Sequence, residues 1–178
     1  MITNGSVTLR PTEHRDIADY RRWLIEKPNP DDWNVSWDGD DDDEAYIQGL
    51  QKSIGEKCDV YHHLEVCNES NKHIGWVSAY FTDERTKLFV GIDLPDAERR
   101  KGYGESTMLL YIAYLFDQYD VNIIYTSTLS GNKPMIRLAE KIGFEIDCVT
   151  PSVIALRGQV YDGLTFRITL EAHIARKL

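Results

Sequence analysis

Glu98-Arg99-Arg100-Lys101-Gly102-Tyr103-Gly104-Glu105-Ser106 lies between two patterns of different period. Before it, Leu88-Phe89-Val90-Gly91-Ile92-Asp93-Leu94 is a short apolar run of strand length. After it, Met108, Ile112, Leu115 and Tyr119 recur at i, i+4, i+7 and i+11, with Leu109 and Phe116 beside them. That is the period of one buried helix face. The order is therefore strand, basic loop with two glycines, helix. The first turn of a helix leaves backbone N–H groups without intrahelical partners, and its dipole makes that end positive. Glycine lets a ligand approach the backbone closely. With Arg99, Arg100 and Lys101 added, the loop reads as a cradle for an anion bearing several phosphate oxygens. Taken alone, it also reads as a strand-to-helix turn with solvated charges.

Two better-known phosphate loops do not fit. A dinucleotide-binding turn needs a third glycine, where this chain has Ser106 and Thr107, and a first βαβ unit near the N-terminus. A nucleoside-triphosphate loop ends in Gly-Lys-Ser/Thr, which is also missing.

The chain in order is predicted to be one domain of mixed α/β type over residues 1–178, with no repeat or linker. Val7-Thr8-Leu9-Arg10 alternates as a half-buried strand that Pro11 ends. Asp16 is placed to cap a helix whose face holds Ile17, Tyr20 and Leu24. Trp33-Asn34-Val35-Ser36-Trp37 runs into the acidic stretch from Asp38 to Glu44. The aromatic faces and carboxylates, Trp33, Trp37 and Asp38 foremost, read as a wall for a cationic amine. They also read as a solvated acidic loop ahead of a helix N-terminus. Residues 45–54 have a helical pattern ending at Gly55. Residues 64–67, 74–81 and 88–94 read as a three-strand meander, the middle strand apolar on both faces and so central in a covered sheet. His62 and His63 read as surface or edge residues. Residues 121–129 form a β-branched strand. Asn132 opens a short helix that Gly143 closes. Residues 144–149 and 164–171 are the last strands.

Composition narrows the function. Among 178 residues the formal net charge is −9, which opposes a nucleic-acid phosphate backbone and suits a cationic partner. Cys58, Cys67 and Cys148 are an odd, scattered set with no C-x-x-C pair, so no metal site is expected. No apolar run approaches the roughly 20 residues of a membrane helix, and Met1-Ile2-Thr3-Asn4-Gly5 lacks the features of a signal peptide. The expectation is a cytoplasmic protein with reduced thiols, a monomer or homodimer.

Arg99-x-x-Gly102-x-Gly104, after a strand and opening a helix, resembles the acetyl-CoA pyrophosphate loop of the GNAT acetyltransferases. Asn132-Lys133-Pro134-Met135, running to Glu140-Lys141-Ile142-Gly143-Phe144, is similar to that family's second block. The two ends, Val7-Thr8-Leu9-Arg10-Pro11 and residues 158–167, resemble the branch with the ribosomal-protein N-terminal and spermidine acetyltransferases. The resemblance implies a mixed, mostly antiparallel sheet of six to seven strands with about four helices. It implies acetyl-CoA as cofactor and an amine acceptor, a protein N-terminus foremost, with a small polycationic amine or a non-catalytic acyl-CoA-binding module as alternatives. Its implied cofactor-binding residues are Ile92, Asp93, Leu94, Arg99, Arg100, Lys101, Gly102, Tyr103, Gly104, Glu105, Ser106, Asn132 and Lys141. The strand holding Val90–Leu94 is expected to part from the next one and bind the pantetheine arm along its edge. Asp93 is the candidate base, or an ordinary strand carboxylate. Asn132 is an arm-binding residue or a helix cap. The family's usual hydroxyl donors fall here at Ala139 and Met135, which leaves Tyr103, Tyr125 or water to protonate the leaving thiolate.

Overall fold

A computed structural model describes residues 1–26, 33, 42–56, 59–82 and 86–176. It contains a mixed sheet of eight strands: β1 Ile2–Thr3, β2 Val7–Arg10, β3 His63–Asn68, β4 His73–Phe81, β5 Leu88–Asp93, β6 Ile123–Leu129, β7 Glu145–Leu156 and β8 Gln159–Thr169. Their order across the sheet is β1-β2-β3-β4-β5-β6-β8-β7. Every pair is antiparallel except β5 with β6. Five α-helices accompany the sheet: α1 Ile17–Tyr20, α2 Asp43–Ser53, α3 Tyr103–Gln118, α4 Lys133–Ile142 and α5 Leu170–Ala175.

The count exceeds the expected six to seven strands by a short edge strand, β1, and exceeds the four helices by α5. The last strand was expected to run to Glu171. It stops at Thr169, whose hydroxyl accepts the Ala172 N–H and caps α5. The final hairpin is longer than expected, because β7 and β8 continue to a turn at Arg157 and Gly158, both at positive φ.

Strand alternation divides the core in two. Leu9, Leu64, Val77 and Val90 face one side, where Met108, Tyr111, Ile112 and Leu115 of α3 and Ile142 of α4 cover them. Trp76 faces the other side and packs with Ile17 and Tyr20 of α1 and Ile47 and Leu50 of α2. Successive strand residues point to opposite faces, so β4 is buried on both, as its two-sided apolar pattern predicts. β3 lies on one flank of β4 and β5 on the other. No described helix is long and apolar enough to cross a membrane.

Local chemistry sets the ends of the two helices near the site. Gly102 precedes α3 at φ +88, a left-handed conformation that favours glycine. Asn132 caps α4 through Oδ1, which accepts the Met135 N–H at 3.2 Å. Such a cap contributes about 1 kcal/mol. Gly143 closes α4 at φ +95.

Candidate active site

β5 and β6 run together for only two pairs, Leu88↔Ile124 and Phe89↔Tyr125. Beyond them the strands part. At the fork the Thr126 hydroxyl donates to the Val90 carbonyl at 2.8 Å, which holds the parting open at a fixed point. Among the described residues, the β5 edge facing β6 has no ladder partner after Phe89. Unpaired strand groups are a template for an extended ligand. A cleft of about 790 Å³ begins here, with Gly91, Ile92, Asp93 and Leu94 on one wall and Thr126, Ser127, Thr128 and Leu129 on the other.

At one end the cleft meets the first turn of α3. By helix geometry the N–H groups of Tyr103, Gly104 and Glu105 lack intrahelical acceptors. Arg99, Arg100, Gly102, Gly104, Glu105, Arg137 and Lys141 line this end. Arg99 is braced on the loop: its Nε donates to the Leu94 carbonyl at 2.6 Å, and its guanidinium pairs with Asp96 at 2.8 Å. Arg100 takes a left-handed conformation at φ +63. Lys141 reaches Glu105 at 2.6 Å across the mouth.

Two side chains from the predicted cradle, and one of its backbone carbonyls, turn elsewhere. Lys101 pairs with Glu98 at 2.9 Å, and Lys72 from the β3–β4 turn pairs with the same carboxylate at 2.5 Å. Glu98 is buried, and burial would raise its carboxyl; the two ammonium hydrogen bonds outweigh that and hold it below the usual carboxylate range. Tyr103 donates to Glu69 at 3.0 Å, and the Ser106 carbonyl accepts from Asn4 at 3.1 Å. The basic triplet is thus split, with two arginines at the cleft and one lysine bracing the loop.

Asn132 lines the cleft, but both ends of its amide are engaged. Oδ1 caps α4 and Nδ2 donates to the Thr128 hydroxyl at 2.9 Å. Met135 lines the cleft with an apolar side chain, and Ala139 is buried in the core. Neither Tyr103 nor Tyr125 lines it; Tyr125 stacks on Phe89 under the Lys87 ammonium.

The opposite end of the cleft is aromatic and acidic: Trp33, Tyr46, Trp76, Tyr80, Asp42 and Asp43. Trp33 lies over Gly131, edge-on to Tyr161 at 5.2 Å. Trp37 and Asp38 fall outside the described residues. Asp42 also caps α2, accepting the Ala45 N–H at 2.9 Å, so the acidic run serves a helix N-terminus as well. Charge is separated along the cleft, with the arginines at the α3 end and Asp42, Asp43 and Asp93 toward α2.

Behind the acidic end lies a buried polar network that the sequence patterns did not reveal. Arg10, Glu65, Trp76 and Asp93 stand opposite one another across β2, β3, β4 and β5. Asp16 stands at the N-cap of α1 as expected but makes no side-chain cap bond to that helix; its carboxylate accepts the Glu13 N–H at 2.8 Å and both terminal nitrogens of Arg10 at 2.7 Å. Glu65 accepts Thr12 at 2.6 Å, Tyr20 at 2.8 Å and His73 at 2.8 Å, with His63 at 3.2 Å. Burial would raise the Glu65 carboxyl, but these imidazole contacts hold it down to about 2. Burial would lower the His73 imidazole; the hydrogen bond it donates to Glu65 and the charges of Glu65, Asp16 and Asp19 raise it instead. Asp16, Asp19 and His73 lie within 4.8 Å of one another and are engaged as this ion-pair set. His63 therefore belongs to a polar network rather than to a solvated edge.

A family model described as the acetyltransferase (GNAT) domain matches residues 6–145. The SPbeta prophage-derived uncharacterized N-acetyltransferase YokL of Bacillus subtilis (strain 168) is 30% identical over 115 residues. That alignment takes in 64% of this chain and 64% of the relative's length. A GNAT-family acetyltransferase from Bacillus anthracis superposes with a TM-score of 0.71 at 17% identity, covering 96% of this chain and 98% of that one. Spermidine N-acetyltransferase from Vibrio cholerae, in complex with CoA and spermine, superposes with a TM-score of 0.70 at 16% identity, covering 96% and 99%. At these identities the structural likeness is one of fold.

Proposed function

This chain belongs to the GNAT acetyltransferase family, and from that premise we propose that it transfers the acetyl group of acetyl-CoA to a primary amine. The observation that carries this reading is the parting of β5 and β6 beside the positive end of α3. That arrangement offers an unpaired strand edge and an anion cradle along one cleft, and it fits a diphosphate joined to an extended amide-bearing arm.

In this reading Arg99 and Arg100, with the first-turn N–H groups at Tyr103, Gly104 and Glu105, hold the diphosphate. The edge of Ile92, Asp93 and Leu94 binds the arm as an added strand. Lys141 shields the mouth through Glu105. Acetyl-CoA supplies a thioester, an acyl group already activated toward an amine. A backbone N–H of β5 directed at the cleft stabilises negative charge on the acyl oxygen.

The acceptor must lose a proton before it attacks, since an alkyl ammonium is largely protonated near pH 7. Asp93 ends β5 on the α1–α2 side of the sheet and lines the cleft. We assign it the role of taking that proton. With Met135 and Ala139 at the family's usual hydroxyl positions, α4 offers no hydroxyl there for the leaving thiolate, and we assign that proton to water.

The proposed acceptor class is a protein N-terminal amine, on the end-to-end likeness of the sequence to the ribosomal-protein branch. The aromatic and acidic acceptor end supports a second reading, a small polycationic amine. Incubation with acetyl-CoA and a mixed panel of peptides and polyamines, followed by free-thiol release and mass spectrometry, tests both. Acetylated peptides support the first and acetylated polyamines the second. Tight CoA binding with no thiol release across the panel would make the chain an acyl-CoA-binding module.

A further inference from the structure

We propose that Glu98 is a positioning residue for the diphosphate: it ties the cradle loop to the β3–β4 turn and so fixes the loop that presents the first-turn amides of α3 to the cleft. The proposal rests on the reading that the cleft holds acetyl-CoA, and it adds the group that shapes the loop from behind.

The loop needs outside support. Arg100 and Gly102 both stand at positive φ, +63 and +88, with Lys101 between them. Glycine enters that region freely, but a residue with a Cβ rarely does. Such a conformation persists where its surroundings determine it. Ahead of Arg100, the Glu98 N–H donates to the Pro95 carbonyl at 2.8 Å and the Arg99 N–H to the Asp96 carbonyl at 3.2 Å. After it, the Ser106 N–H donates to the Gly102 carbonyl at 3.2 Å.

Glu98 spans the stretch between these bonds. Its side chain is only 7% exposed, and each of its oxygens takes one ammonium: Oε1 from Lys72 at 2.5 Å and Oε2 from Lys101 at 2.9 Å. Lys101 belongs to the loop and Lys72 to the β3–β4 turn, so one carboxylate joins two separate segments. The turn is a firm anchor. Asn68 Oδ1 accepts the Ser70 and Lys72 N–H groups at 3.1 and 3.0 Å, and the Asn68 N–H donates to the Lys72 carbonyl at 3.0 Å. A second link runs from the same turn to the start of α3, where Tyr103 donates to Glu69 at 3.0 Å. Glu98, Lys101 and Lys72 do not line the cleft, so they act on the cofactor through the loop and not by contact.

Charge and position pull in opposite directions here. A carboxylate behind a phosphate cradle repels the phosphates, so charge alone gives Glu98→Gln a higher CoA affinity. Loss of the tie leaves the loop in its binding conformation for a smaller share of the time, and apparent affinity falls by that share. The variant is expected to fold, because both ammoniums it releases are at least half exposed and no charge is left buried.

Calorimetric titration with CoA, without acceptor, is the test. Glu98→Gln should bind about tenfold more weakly than the wild type. In the transfer assay KM for acetyl-CoA should rise by a like factor, while kcat at saturation and the acceptor KM hold. A merely structural loss would lower kcat instead, by shrinking the folded fraction. Trypsin reads the loop directly. Lys72→Met keeps Glu98 and Lys101 but cuts the link to the turn. Without CoA, cleavage after Arg99, Arg100 or Lys101 should be several-fold faster in both variants than in the wild type. A CoA affinity of Glu98→Gln equal to or above the wild type's would overturn the role and leave the acetyltransferase reading standing. Unchanged cleavage in Lys72→Met would overturn it too, and that measurement decides should Glu98→Gln fail to fold. A wild type with no CoA affinity would overturn the cofactor reading itself, and this role with it.

Discussion

A Cβ built on Gly75 would lie 2.1 Å from the carbonyl oxygen of Asp93 and 2.8 Å from Leu94 Cδ2. Gly75 also sits at φ +140, a region that side-chain-bearing residues rarely enter. β4 therefore gives way where β5 ends, and Asp93 and Leu94 come to the cleft wall through the space a side chain would take. Gly75→Ala is expected to cost about 3 kcal/mol, from overpacking against backbone and from the unfavourable φ. It should also displace the acyl-bearing edge. Urea melts read the first effect and kcat the second. A variant as stable and active as the wild type would show that β5 tolerates a side chain there.

The cradle makes its own prediction. A Cβ on Gly104 would meet Leu138 Cδ2 at 3.4 Å and Leu94 Cδ1 at 3.7 Å, ordinary packing distances. Gly104→Ala should therefore fold, and gain up to about 1 kcal/mol from helix propensity. The branched side chain of Gly104→Val should obstruct approach to the first-turn amides and lower CoA affinity by about tenfold, roughly 1.4 kcal/mol. Calorimetric titration with CoA measures it; equal affinities for all three proteins would move the diphosphate elsewhere.

The strand–loop–helix at Leu88–Gln118 was legible because each part carries its own local signal: an apolar run, two glycines, and apolar residues in helical period. The fork was legible only through family likeness, since nothing in Thr126-Ser127-Thr128 announces that this strand leaves its neighbour after Tyr125. Pro151 made β7 look shorter than it is. It falls where the pairing with β8 shifts register between Thr150 and Ile154, on an edge strand that tolerates a proline. Glu65 alternates with the apolar Leu64 and Val66, a pattern that marks a strand and does not mark Glu65 as buried. Its face of the sheet is covered by α1 and α2, and coverage by distant elements is not written in a strand's own period. Tyr20 counts in the sequence as part of an apolar helix face, because the pattern places the ring and says nothing of the hydroxyl.

That buried network should govern stability against pH from both sides. Glu65 is lowered from an ordinary 4.5 to about 2, so its contribution is complete above about pH 4.5 and lost as pH falls toward 2. His73 is raised above an ordinary 6.5, so its contribution is complete below about pH 6.5 and lost as pH rises through its higher folded value. The network is therefore at full strength between about pH 4.5 and 6.5. Glu65→Gln should lower stability by about 3 kcal/mol at pH 6, because it removes the buried charge that Thr12, Tyr20 and His73 Nε2 share. It should also flatten the acid limb of a plot of Tm against pH. An acid limb as steep as the wild type's would assign the acid sensitivity to other carboxylates.

Gly131 seats the aromatic wall of the acceptor end. A Cβ there would lie 2.2 Å from the Trp33 ring and 2.5 Å from that of Tyr161. The Arg157 guanidinium lies over the Trp33 ring, 5.2 Å from its centroid. Gly131→Ala should push Trp33 off its seat, raising the acceptor KM several-fold while CoA affinity stays the same. A double-mutant cycle with Trp33→Ala isolates the cause. If the seat matters only through Trp33, the double variant should be no worse than Trp33→Ala alone, whereas additive losses would give Gly131 a separate role.

Asp93 carries the sharpest expectation about chemistry. It stands opposite Trp76 on the last pair of the β4–β5 ladder, lines the cleft, and its charge helps raise the phenol of Tyr46. A carboxylate there both attracts an ammonium and accepts its proton, and the amide of Asp93→Asn keeps the shape while losing the charge and the basicity. At pH 7 kcat/KM should fall by about a hundredfold, the lower end of what a positioned base contributes. The fall should ease as pH rises toward the ordinary titration of the acceptor amine, because the neutral amine then needs no base. An acceptor that is never charged at the assay pH, such as an aromatic amine, should lose far less. If the variant's loss were the same for charged and uncharged acceptors at every pH, Asp93 would be a shape-keeping residue of the strand end and the proton would have to leave by a route that bypasses it.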